Sequence, residues 1–252
     1  MSLITFKIMA SIFIFIIALL AGLLPLQVRH YNPDSRHLTD SITNGIFLGA
    51  AVFHMLPDAQ AGFSGLGLND YPYALLLCFA GLILLQIVKY ITIYFNQASD
   101  NAKLNGTMIL IILCIHSIIE GTTLGINTTV TNAFVIFIAI MAHKSCDSFA
   151  LATTLKRYAL LPQYHVPLVI IYALMTPFGI AITSTIIGIL SNRSGILVES
   201  SLNAIAAGTF IYIGALDAII QQFRVKNFRQ NVIDFGSLTI GMAFMGLLAI
   251  WI

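Results

Sequence analysis

The chain has 252 residues, of which 58% are hydrophobic and 9% charged, with a formal net charge of +2 and a mean hydropathy of +0.93. A soluble domain needs about 25% charged residues to keep its surface wet, so the composition excludes an ordinary water-facing surface and makes lipid the solvent. Cys78, Cys114 and Cys146 stand in apolar runs at irregular spacing without a CxxC, which argues against a disulfide framework.

Runs long enough for a spanning helix, about 20 mostly apolar residues, occur eight times. They lie at about 3–25, 41–60, 72–96, 105–127, 132–156, 165–191, 200–222 and 232–252. The first is too long and uninterrupted for a cleaved signal segment, and no A-x-A-like site follows it. Polar stretches separate the runs: RHYNPDSRH, GFSGLGLND, NQASDNAK, NTTVTN, KRYALLPQ, SNRSG and RVKNFRQN. The continuously apolar runs exclude a barrel, which needs alternating ten-residue strands. The expected fold is an all-α membrane protein of eight transmembrane helices, one domain over 1–252. Every loop is short, so function is expected within the membrane.

Lys and Arg set the orientation. Arg29, Arg36, Lys103, Lys156, Arg157, Arg224, Lys226 and Arg229 follow spans one, three, five and seven, whereas the other side holds only Lys7 and Arg193. The positive-inside rule makes the first set cytoplasmic. An even number of spans then puts both termini outside.

A charge at mid-bilayer costs at least about 2.5–3.5 kcal/mol, so each intramembrane ionisable residue needs a partner, a wet cavity or a task. Span four reads HSIIEGTTLG and span five HKSCDSFALA. His116 and Glu120, like His143 and Asp147, are four residues apart and share a helical face. An imidazole nitrogen and a carboxylate oxygen one turn apart suit a divalent ion. The two segments align as H-x-x-x-[ED]-[GS]-x-x-L-[GA] in helices of opposite direction, the pattern of an inverted-repeat transporter bundle with its site near the midplane. A lone membrane histidine serves packing more often than ligation; two matched pairs in consecutive spans favour a metal or proton site.

Span two contains FHMLPDA. Pro57 removes a backbone hydrogen bond and bends the helix; His54 is placed on either the pore or a packing face, and Asp58 at a helix terminus or a pore entrance. Asp217 in span seven reads equally as a snorkelling acid or an exit-path carboxylate. Lys144, beside His143, is expected to pair with a neighbouring carboxylate or lose its charge, and it repels a second cation. Gly45/Gly49 and Gly121/Gly125 read as packing surfaces.

At these residues the chain resembles the ZIP (Zrt/Irt-like protein) family of divalent-metal transporters. The resemblance rests on Phe53–Ala59, on His116, Ser117, Glu120 and Gly121, on His143, Lys144 and Asp147, and on Ala207–Tyr212 with Asp217 beyond it. It implies transport of zinc, iron or manganese into the cytoplasm, with His116 and Glu120 as primary ligands and His143 and Asp147 as their partners. Ser117 is implied as a weak or water-mediated ligand. Asp147 is shorter than the family's usual Glu, and Lys144 stands where some relatives carry an acid for a second metal. One principal metal position is therefore expected.

The expected function is transport of Zn²⁺, with Fe²⁺ or Mn²⁺ as alternatives, by a secondary transporter that is not an enzyme. The metal is substrate, and no catalytic cofactor is expected. The partners are a divalent ion and the lipid bilayer, with a homodimer left open. No basic or stacking platform for nucleic acid is present. The setting is a plasma membrane or bacterial inner membrane. The alternatives are an intramembrane metal-dependent hydrolase, for which HExxH is lacking, and a scaffold, which leaves the buried charges unexplained.

Overall fold

The computed structural model describes residues 2–27, 33–95, 101–127, 129–157, 162–186, 192–217 and 228–250. Among these there is no strand. The helices are α1 (Leu3–Gln27), α2 (Pro33–Ala50), α3 (Leu56–Gly65), α4 (Tyr73–Phe95), α5 (Asn101–Ile126), α6 (Val130–Arg157), α7 (Pro162–Ile186), α8 (Asn192–Ile211) and α9 (Phe228–Leu248). A π-helical turn over Ala51–Met55 joins α2 to α3 as one rod, and a second over Tyr212–Asp217 extends α8. Six helical segments, in α1, α5, α6, α7, α8 with its extension, and α9, are long and apolar enough to cross a membrane. A shorter apolar stretch, Tyr73–Val88, belongs to α4.

The second and seventh rods begin at Pro33 and Asn192 rather than at 41 and 200. Hydropathy marks where a helix leaves hydrocarbon, whereas backbone hydrogen bonding continues into the polar layer. The Pro57 expectation also takes a definite form. Pro57 has no N–H to offer the Phe53 carbonyl, and its ring crowds that carbonyl. The turn just before it widens instead, with the Leu56 N–H bonded to Ala51 O, and such π turns re-aim the side chains they carry.

Packing divides the rods into two bundles. The first holds α1, α5, α6 and α7, paired chiefly as α5 on α7 and α1 on α6. The second holds α2–α3, α4, α8 and α9, paired as α2 on α9 and α4 on α8. Glycine makes these contacts close. A Cβ on Gly121 would strike the Thr176 carbonyl, and one on Gly179 the Ile118 carbonyl. Gly45 and Gly241 approach each other's helices in the same reciprocal way, as do Gly81 and Gly208. Small residues let helix backbones meet where lipid supplies no hydrophobic drive. Among the described glycines, every such tight approach lies inside one bundle. The seam between bundles, chiefly α2 against α6 and α5 against α8, is made of side chains.

The two ends of the seam can be told apart. One, termed upper, carries Leu66, Gly125 and Arg193: Lys7 Nζ donates to Gly125 O at 2.6 Å, and Arg193 reaches Leu66 O at 3.4 Å. The lower end carries Pro25, Asn44 and Arg157.

Candidate metal centre

Each residue of the centre sits where helical spacing puts it. On α5, His116, Ser117 and Glu120 face the seam and are at most 8% exposed. On α6, His143, Lys144 and Asp147 face it from the neighbouring helix, each at most 2% exposed. The π turn supplies His54 from the second bundle.

Glu120 is the hub. Its Oε1 lies 2.5 Å from His143 Nε2 and 3.2 Å from His116 Nε2. Its Oε2 accepts from Lys144 Nζ at 2.7 Å, and Ser117 Oγ accepts from the same ammonium at 2.6 Å. The Lys144 ammonium lies over the Tyr172 ring, 4.7 Å from its centroid. His143 thus pairs with the carboxylate of the other helix, because its own i+4 carboxylate stands off, with Asp147 Oδ2 at 4.0 Å. Both Asp147 oxygens are buried without a hydrogen-bond partner among the described residues, as are the Nδ1 atoms of His116 and His143. Buried polar atoms left in this state are costly in an apolar interior, so the cluster is built for something other than packing.

Two overlapping groups offer ligand atoms that all lie within 4.8 Å of one another: His116, Glu120, His143 and Asp147, and His54, His116 and His143. Ligand bonds of about 2.0–2.2 Å require only a small contraction from that spacing. The His54 ring is 4.5 Å from the His143 ring and 6.4 Å from that of His116, centroid to centroid. Two carboxyl groups, three imidazoles and the Lys144 amino group thus share one buried space.

A cavity of about 140 Å³ joins the cluster to the upper end. Its lining runs from His116, Glu120 and His143 past His54 to Asp58, Thr123 and Glu199, and the Asp58 side chain is 49% exposed. That volume accommodates an ion with several waters. His54 Nδ1 stands 3.1 Å from Asp58 Oδ2, one turn apart. Beneath the cluster the seam is closed. Phe210 packs against His116 at 5.8 Å between ring centroids and against Phe47 at 5.3 Å. Ala150, Leu151 and Leu155 are fully buried below.

The structure therefore brings together His116, Glu120, His143, Asp147, Ser117 and Lys144, with His54 and Asp58 along the same cavity. Asp217 ends the second π turn. Its side chain lies outside the described residues, as do those of Arg29, Arg36, Lys103, Arg224 and Lys226. Sequence reading missed Thr123, Glu199 and Asn203. Glu199 falls just outside the 200–222 run, and only the fold carries it to Thr123, whose hydroxyl donates to its carboxylate.

Apolar rods in two bundles, with a buried cluster of histidines and carboxylates at their seam, define an integral multi-pass membrane protein with a site suited to a metal ion. A model of the ZIP zinc transporter family matches residues 4–107 and 97–249. Similar proteins include zinc transporter ZIP2 of Mus musculus, 23% identical over 303 aligned residues that cover 97% of each chain. Zinc transporter 11 of Arabidopsis thaliana is 24% identical over 99% of this chain and 86% of its own. Zinc transporter ZIP1 of Danio rerio is 38% identical over 47% of this chain and 39% of its own. The chain belongs to the ZIP zinc transporter family.

Proposed function

We propose that the protein carries divalent transition-metal ions, zinc first and iron or manganese as alternatives, across its membrane into the cytoplasm. One observation carries this reading: four potential ligands from α5 and α6 converge at a bundle seam that is hollow on one side and packed on the other. Such asymmetry suits a carrier that exposes its site alternately. All eight rods span the membrane in this reading, α5 and α6 form the inverted pair, and both termini lie outside. The basic residues Lys156 and Arg157 at the lower end of α6 then face the cytoplasm, and the cavity receives its ion from outside.

His116, Glu120, His143 and Asp147 hold the ion. Their mixed nitrogen and oxygen donors suit Zn²⁺ and also Fe²⁺ and Mn²⁺. Ligation at His143 Nε2 and Glu120 Oε1 displaces the proton those atoms share, because ligands bind deprotonated. Lys144 occupies Glu120 Oε2 and Ser117 Oγ, so Glu120 offers one oxygen and Ser117 reaches the ion only through water. His54 and Asp58 line the inward path, and Asp217 serves the exit. Release follows when the two bundles move against each other and the packing around Phe47 and Phe210 parts.

Zinc uptake by purified protein in liposomes tests this. The parent is expected to carry zinc, and Glu120→Ala or His116→Ala to lower uptake to the level of empty liposomes. Uptake by both variants equal to the parent's would remove the site assignment, and hydrolysis of a substrate without metal flux would favour an intramembrane hydrolase.

A further inference from the structure

The cavity wall holds a carboxylate that the ligand cluster does not use. Glu199 lies on α8 of the second bundle, with Asn203 one turn deeper on the same face. Across the seam, Thr123 stands on α5 one turn above Glu120, and its hydroxyl donates to Glu199 Oε1. Asp58 faces the same space from α3. No lysine or arginine is among the residues lining this cavity; Glu120 is already paired with Lys144, which leaves Asp58 and Glu199 as the carboxylates of its upper part. A narrow space with apolar walls and one sign of charge focuses the field and concentrates counter-ions.

The donors also change character with depth. Near the upper end they are oxygens: Asp58, Glu199, Asn203 and Thr123. Deeper lie the imidazoles of His54, His116 and His143, and the buried Nδ1 atoms of His116 and His143 have no partner among the described residues. Oxygen donors accept hard and borderline divalent ions with little discrimination, whereas imidazole favours transition metals.

Building on the transport reading, we infer that Glu199 is a further path residue: with Asp58 and Asn203 it forms an oxygen-donor waiting station, where a divalent cation is held before transfer to the histidines. Thr123 holds the Glu199 carboxylate at the seam, close to the helix that carries Glu120. The station sets how readily an ion is captured. Discrimination between transition metals and Ca²⁺ or Mg²⁺ belongs to the deeper site.

The test uses the full protein, measured twice. In liposomes, Glu199→Gln is expected to raise the KM for Zn²⁺ about tenfold through loss of cavity charge, with Vmax kept and the exclusion of Ca²⁺ unchanged. Glu199→Asp, which keeps the charge, restores the parent KM, and Thr123→Val, which keeps the carboxylate but removes the hydroxyl that holds it, raises KM by less than Glu199→Gln does. In detergent, calorimetric titration with Zn²⁺ is expected to show a tight and a weak binding phase; Glu199→Gln loses the weak phase alone. A Glu199→Gln variant with parental KM and parental weak binding overturns the inference. So does a fall in Vmax at constant KM in both Glu199→Gln and Thr123→Val, which would make the pair a mere brace. A parent that binds zinc in two phases without carrying it would remove the transport reading while leaving the station intact.

Discussion

The upper and lower halves of the seam are built from the same two bundles and differ in almost everything else. Above the cluster, α5 and α8 flank a cavity lined by carboxylates, and the Thr123 hydroxyl donates to Glu199 across it. Below it, α2 and α6 close on each other. Thr43 Oγ1 meets Thr153 Oγ1 at 2.9 Å, and Arg157 Nη1 donates to Asn44 Oδ1 at 3.2 Å, with Asp40 Oδ2 3.9 Å from its Nε. The apolar core of Phe47, Ala150, Leu151, Leu155 and Phe210 fills the same region. A polar path on one side and a packed plug on the other give this conformation a direction, and the cluster lies where the two regimes meet.

That junction is the costliest place to disturb. Lys144 is fully buried and neutralises Glu120. Lys144→Met strands the carboxylate, and breaking a buried pair from one side costs about 3–5 kcal/mol. Thermal unfolding of purified protein should show a marked drop in Tm, and added zinc should recover part of it, because a ligand that binds the folded state stabilises it. An unchanged Tm would mean that the lysine is not the partner the geometry makes it.

A glycine change separates bundle from seam. Gly208→Ala drives a methyl group into the Cys78 carbonyl on α4, and overpacking costs about 1–3 kcal/mol. Stability in detergent should fall while the KM for zinc among folded molecules stays at the parent value. A changed KM with unchanged Tm would show that the second bundle is not a unit.

The smallest expected effect sharpens the comparison most. Arg157→Ala removes the brace to Asn44 and Asp40, and exposed or half-exposed ion pairs contribute only about 0.2–1 kcal/mol each. A cysteine at position 150, now fully buried below the cluster, should then react about tenfold faster with an impermeant thiol reagent supplied to the lower face, with the native cysteines replaced. Equal rates with and without Arg157 would mean that the apolar plug alone closes that side.

Much of this is legible in the sequence, for reasons tied to particular residues. A four-residue spacing fixes a helical face, so His116 with Glu120 and His143 with Asp147 mark two lined faces by spacing alone. Lys144 next to His143 marks a buried cation in need of a carboxylate. Spacing does not reveal which carboxylate: His143 and Lys144 both turn to Glu120 on the neighbouring helix, leaving Asp147 without a hydrogen-bond partner among the described residues. Pro57 signals a disturbance, yet a widened turn and a bend leave the same mark in sequence. Glu199 is illegible because its significance is its contact with Thr123, 76 positions away, and no periodicity reaches that far.

The confinement of tight glycine contacts to the bundle interiors bears on how such a protein can change through descent. Substitutions at Gly45, Gly81, Gly121, Gly179, Gly208 or Gly241 threaten whether the chain matures at all. In the proposed transport cycle, those along the seam alter how quickly an assembled molecule turns over and what it admits. Inheritance can therefore retune speed and cargo through a few exposed or cavity-lining positions without renegotiating assembly, provided the glycines stay where they are.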